Sequence, residues 1–158
     1  MSRVVDRAAL VIEARDIIAN GSKSFRSASA LFDEKTRERA WLLYAWCRAC
    51  DDLTDGQTLG HDMTVPNDPK SAHKRIVALT DKALAGEATG VAPFDALGIV
   101  AAECRIPRRA VTDHLDGFAL DAKGWVPQTT DDLLRYCFHV AGAVGVMMAL
   151  VMGVDPDD

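Results

Sequence analysis

Apolar positions recur at helical spacing along nearly the whole chain, broken by short polar punctuation. Val4, Val5, Ala8, Ala9, Val11 and Ile12 set the first such pattern and predict a helix over Ser2 to Ile18, stopped by Asn20-Gly21. Asp33 reads as an N-cap, with Glu34 in the first turn, and predicts a second helix to about Thr54. Trp41 to Cys50, within it, consists of helix formers without Gly or Pro. The polar stretch from Gly56 to Pro69 is the longest expected loop. Further helices are expected over Ser71–Ala85, Pro93–Cys104, Pro107–Ala122 and Thr130–Met152, with Pro93 and Pro107 suited to first turns. No stretch alternates as a strand would, so the expected fold class is all-α.

The last pattern is the most apolar. Val140 to Val154 carries no charge, but a bilayer span needs about 20 residues, and His139 and Arg135 lie just upstream. Gly142 and Gly145 weaken a lone helix in water. A buried helix at the centre of a bundle is the reading preferred over a spanning or interfacial one. Its small residues would admit a neighbouring helix or a ligand chain.

Size and charge narrow the class. The sequence has 158 residues, 49% hydrophobic and 26% charged, which suits one soluble domain with a real core. A net charge of −5 without a basic stripe argues against nucleic acid as partner. The N-terminus mixes Arg3, Asp6 and Arg7 among apolar residues and lacks a signal-peptide core, so a cytoplasmic location is expected. Cys47 and Cys50 form a C-x-x-C inside a helical pattern, with no second ligand pair for zinc and no preceding strand for a redox motif. Reduced, packed thiols are the expectation.

Candidate chemistry centres on Asp51, Asp52 and Asp55 at the end of the second helix. Asp51 and Asp55, four apart, share a face. A helix C-terminus disfavours a carboxylate by roughly 0.3–1 kcal/mol, and three acids there also repel one another. A divalent cation would remove both penalties, and Mg²⁺ favours one or two carboxylates completed by water and phosphate oxygens. The alternative is a solvated acidic helix end. Arg48 and Tyr44 extend the stripe one and two turns back; Arg48 either pairs with Asp51 or Asp52 or reaches a diphosphate. Gly21-Ser22-Lys23-Ser24-Phe25 offers hydroxyls, an ammonium and backbone N–H groups as a phosphate cradle, or is plain loop. Tyr136 and His139 are core groups or site groups, and Asp116 and Asp121 read as surface acids.

Taken together, Gly21-Ser-Lys-Ser-Phe25, Tyr44-Ala-Trp-Cys-Arg-Ala-Cys-Asp-Asp-Leu-Thr-Asp55, His114-Leu-Asp-Gly-Phe-Ala-Leu-Asp121 and Tyr136-Cys-Phe-His-Val-Ala-Gly-Ala-Val-Gly145 resemble the squalene/phytoene synthase family, and within it the N-terminal half of a bacterial phytoene synthase. The resemblance implies an all-α, isoprenoid synthase-type helical bundle truncated to its first half, with residues 1–158 forming the N-terminal part of a single domain. It implies head-to-head condensation of two geranylgeranyl diphosphates to phytoene through a cyclopropyl diphosphate, a prenyltransferase reaction of carotenoid biosynthesis. Asp51, Asp55, Arg48 and Tyr136 would be catalytic. Asp51, Asp55 and Asp52 would hold Mg²⁺ or Mn²⁺. Gly21, Ser22, Lys23, Ser24, Phe25, Tyr44 and Arg48 would bind substrate, with Val140, Val144 and Gly145 lining the prenyl channel.

The family's second aspartate-rich motif has no counterpart before Pro156-Asp157-Asp158, so the isolated chain is expected to lack turnover. Uncovered helix faces predict self-association, and a hydrocarbon product fits peripheral contact with the inner membrane. The alternatives are a squalene- or dehydrosqualene-type fragment using a shorter substrate, and a non-catalytic prenyl-diphosphate-binding or scaffold protein.

Overall fold

The computed structural model describes residues 5–56 and 68–157. These form eight α-helices joined by short connections: α1 (Arg7–Gly21), α2 (Lys23–Ser29), α3 (Glu34–Asp55), α4 (Pro69–Leu84), α5 (Ala92–Cys104), α6 (Arg108–Ala122), α7 (Thr130–Cys137) and α8 (Ala143–Val151), with a π-helical turn, Phe138–Gly142, joining the last two. The described residues include no strand, in accord with the all-α expectation.

Helix starts follow side-chain chemistry. Asp6, Ser22, Asp33 and Asp68 each accept a backbone N–H in the first turn of α1, α2, α3 and α4, and Thr129 with Asp132 closes a capping box on α7. Gly56, left-handed at φ 64°, ends α3 one residue beyond Asp55.

The long α3 is the axis of the bundle. It buries Leu42, Leu43, Ala45, Trp46 and Cys50 against α1 and α5, with Ile76, Phe94, Leu97 and Met147 completing the core. The Trp46 indole N–H is not orphaned, because it donates to Thr80 Oγ at 3.3 Å. Helices α4 and α5 meet closely at Gly98, where an added Cβ would lie 2.8 Å from the Ala83 carbonyl oxygen. On the outer side of α1, α3 and α5, Glu103 accepts from Arg7 and, at 2.8 Å, from Arg39, while Arg7 also pairs with Glu38 at 2.7 Å. This places the carboxyl of Glu103 below its usual range.

Three expectations need correction. Helix α1 runs through Asn20 to Gly21 instead of stopping at Ile18, because the Asn20 side chain bonds back to the Asp16 carbonyl at 2.8 Å. Its expected start, Ser2, lies outside the described residues, as does most of the expected loop after Gly56. The segment after Gly21 is not open loop, since Ser22 immediately caps the short α2.

The third correction concerns the last helix. It is not central: only 22% of its most apolar stretch is buried. Ala143, Met147, Leu150 and Val151 face the core, whereas Leu133, Leu134, Phe138, Val146 and Met152 are exposed. By length and composition Thr130–Val151 could cross a membrane, but its buried face belongs to the bundle core.

Candidate active site

One face of α3, from Ala40 to Asp51, lines a cavity of about 470 Å³. Tyr44, Arg48 and Asp51 stand on one side of it, and Leu43, Val140, Ala141, Val144 and Met148 make an apolar wall. The expected polar stripe on α3 is therefore real. Arg48 donates from Nε to the Tyr44 hydroxyl at 3.4 Å and lies 5.8 Å from the ring centroid. One guanidinium nitrogen lies 3.9 Å from Asp52, a loose ion pair.

The acids behave as a crowded set. Burial pushes the Asp51 carboxyl up from 3.8 to about 6; the nearby Arg48 opposes this, and Asp55, Asp52 and Asp121 add to it. Asp55 is raised for the same reasons, burial first and then Asp121 and Asp52. Asp121, expected to be a plain surface acid, is thus part of the site. It comes from the end of α6 and accepts from the Tyr136 hydroxyl at 2.7 Å. That bond, with burial and the surrounding acids, pushes the phenol up to about 12. Tyr136 thereby joins the acid group and does not line the cavity. The signal for Asp121 was its place at the end of the His114–Asp121 motif, but only the packing of α6 beside α3 shows it facing Asp51.

Of the Gly21–Phe25 segment only Phe25 lines the cavity among the described residues, and Gly21 lies against Tyr44. Ser22 and Ser24 hydroxyls lie 3.2 Å apart, and Phe25 lines the cavity with its ring edge-on to Tyr44 at 5.9 Å. Gly21 has a packing reason: a Cβ there would sit 2.7 Å from the Tyr44 hydroxyl. Lys23 is exposed. Val140 and Val144 line the cavity as expected, but Gly145 does not; it faces outward with open space around it. That placement of Gly145 came from the family resemblance alone. Cys47 and Cys50 carry free thiols, pushed up by burial, in keeping with packed cysteines.

His114 opens the His114–Asp121 motif, and its spacing alone assigns it no role. It is buried, lines the cavity, and bonds through Nδ1 to the His139 carbonyl at 3.1 Å. A separate ligand-type group joins Asp113 and Asp116 of α6 with His139 of the π-turn. Its donor atoms fall within 4.8 Å of one another, a compactness the acids of α3 and Asp121 do not reach among the described residues. The α3 set instead suits a hydrated cation whose shell is completed by other oxygens, because Asp51 and Asp55 are destabilised in their charged form by burial and by neighbouring acids.

An all-α bundle with an acid-lined mouth over an apolar chamber defines the class: the chain belongs to the squalene/phytoene synthase family, whose model matches residues 18–158. It is 45% identical to the 15-cis-phytoene synthase of Pantoea ananas, over 92% of this chain and 48% of that protein. It is 43% identical to the 15-cis-phytoene synthase of a Paracoccus species, over 94% of this chain and 49% of that protein. Among solved structures, a dehydrosqualene synthase in complex with ligand superposes with a TM-score of 0.78 at 25% identity, over 92% of this chain and 48% of that one. The squalene synthase HpnC of Alicyclobacillus acidocaldarius gives 0.81 at 24% identity, over 96% and 54%, and shows the shared fold. The chain spans about half the length of the curated relatives it matches.

Proposed function

We propose that this chain forms the N-terminal part of a single prenyltransferase domain that condenses two geranylgeranyl diphosphates head to head to phytoene, and that alone it binds prenyl diphosphate without turnover. The observation that carries this reading is the junction of Asp51, Arg48 and Tyr44 with an apolar cavity of about 470 Å³. A prenyl diphosphate is an anionic head on a hydrocarbon chain, and this site offers a charged mouth on a greasy chamber.

Arg48 and Tyr44 would bind diphosphate oxygens, and Ser22 and Ser24 from the adjoining start of α2 would join them. Asp51, Asp52 and Asp55, joined by Asp121, would hold Mg²⁺ or Mn²⁺, which when bound stabilises the departing diphosphate. Leu43, Val140, Val144 and Met148 would keep water from the allylic cation. Tyr136 holds Asp121 in place from the outer side of the acids.

The test is product analysis with geranylgeranyl diphosphate and Mg²⁺, using the chain alone and co-expressed with the C-terminal half of the Pantoea ananas relative. Binding alone and phytoene from the pair are expected; a pair that binds without turnover would favour a non-catalytic binding or scaffold protein. The likeness to dehydrosqualene and squalene synthases favours a second reading, a shorter prenyl substrate. Farnesyl diphosphate supplied in competition separates the two.

The exposed Leu133, Leu134, Phe138, Val146 and Met152 support self-association of the isolated chain in the cytoplasm, read by sedimentation. Peripheral contact with the inner membrane is the competing use of that face, and flotation with vesicles distinguishes it.

A further inference from the structure

The π-turn has a chemical cost that His114 meets. In a regular helix the Ala143 N–H would serve the carbonyl of His139; here it serves Phe138 instead. The His139 carbonyl therefore loses its ordinary donor, and Nδ1 of His114 supplies one from α6 at 3.1 Å. A carbonyl can only accept, so Nδ1 carries the proton. In the neutral ring Nε2 is then a bare lone pair, and burial favours that neutral form. Among the described residues Nε2 has no partner and is shielded from solvent, although the ring forms part of the cavity wall and is 4% exposed.

Among the described residues no other polar side chain on that wall is so placed. Arg48 stays protonated. Cys47 keeps its proton, since burial opposes the thiolate. Ser29 donates to the Arg26 carbonyl and accepts from the Trp41 indole, and the Tyr44 hydroxyl accepts from Arg48. Asp51 stands at the mouth among the acids assigned to the metal. The Trp46 and Phe118 rings lie at 5.5 and 4.9 Å from His114, both in edge arrangements.

We propose that His114 is a catalytic residue of this cavity: through Nε2 it takes the proton whose loss turns the coupled hydrocarbon cation into a neutral alkene. The assignment rests on the prenyl-coupling reading above. The Nε2 lone pair forms an N–H bond. The electron pair of the broken C–H bond becomes the new C=C bond, which quenches the cation. The imidazolium returns its proton to the released diphosphate. No oxidant or reductant is consumed.

Two experiments test this. In the unmutated chain labelled with ¹⁵N-histidine, the probe is protonated N,N-dimethylgeranylgeranylamine, a prenyl chain bearing an N–H⁺, added with Mg²⁺ and inorganic diphosphate. The Nε2 resonance of His114 is expected to move as it accepts that hydrogen, with Nδ1 little changed. Movement of other cavity signals with Nε2 unmoved overturns the assignment; no movement anywhere overturns the prenyl-cavity reading and this assignment with it.

In the co-expressed pair, His114→Asn keeps a side-chain N–H for the His139 carbonyl but lacks the base. Geranylgeranyl diphosphate consumption is expected to persist while the phytoene fraction of products falls about a hundredfold, replaced by coupled diphosphate or alcohol. Consumption and phytoene falling together at an unchanged product ratio would make His114 structural. An inactive unmutated pair would count against the coupling reading itself, while the labelled-histidine result still decides whether Nε2 meets the ligand.

Discussion

The two ends of α3 treat carboxylates in opposite ways. Near its start, Arg39 of α3 and Arg7 of α1 converge on Glu103, whose charge is stabilised and whose carboxyl titrates below its usual range. Near its end, burial and the neighbouring acids outweigh Arg48, the one cation among the described residues that acts on Asp51 and Asp55, and both carboxyls are raised. The first arrangement is complete within the protein and contributes to stability. In the second, burial and neighbouring acids leave the charged forms of Asp51 and Asp55 disfavoured within the described residues. Strain of this kind at a site is offset by the rest of the fold.

The sharpest break in the comparison is Asp51→Ala. It is expected to weaken Mg²⁺-dependent binding of a geranylgeranyl diphosphate analogue by at least about 100-fold, measured by calorimetry, without lowering the metal-free thermal midpoint at pH 7.5. Glu103→Ala should do the converse. Leaving Arg7 and Arg39 without their shared acceptor is expected to cost about 1–3 kcal/mol in urea unfolding, with binding at the far end of α3 unchanged.

Asp51→Asn sharpens the contrast through pH. In the folded chain Asp51 titrates at about 6 against 3.8 for the free group, so the folded state holds the extra proton between those values. Metal-free stability should therefore fall as pH rises from about 4 to about 6 and stay lower above it. Asp51→Asn removes that fall, and its thermal midpoint at pH 7.5 without metal should exceed that of the unmutated chain. A midpoint that drops would count against the acids being strained. The smallest effect is expected from Arg48→Lys, which keeps the charge but loses the planar fork over Tyr44. Binding should weaken by about 10-fold or less, with little change in stability.

Sequence alone revealed the parts of this molecule that depend on neighbours along the chain. Asp33 and Gly56 bracket α3, and the spacing of Tyr44, Arg48, Asp51 and Asp55 placed one stripe correctly. It was silent where a distant element decides. The π-turn exists with a donor from His114 across the bundle, and no periodicity announces it; Gly145, placed by resemblance, has open space beside it among the described residues. Asp121 looked like any exposed acid until α6 carried it to within electrostatic reach of Asp51. The last helix looked central because its composition is apolar throughout, but composition does not say which face is covered.

The buried indole of Trp46 has an optical consequence. It stands edge-on to the His114 ring on the cavity wall, 5.5 Å away, and is closed to solvent, whereas Trp41 and Trp125 are each partly exposed. Its emission should lie at the blue edge of the chain's fluorescence, where an imidazole is a near neighbour able to quench it. The molecule thus carries its own dye beside the cavity, and the filling of that cavity should be readable in light without attaching a label.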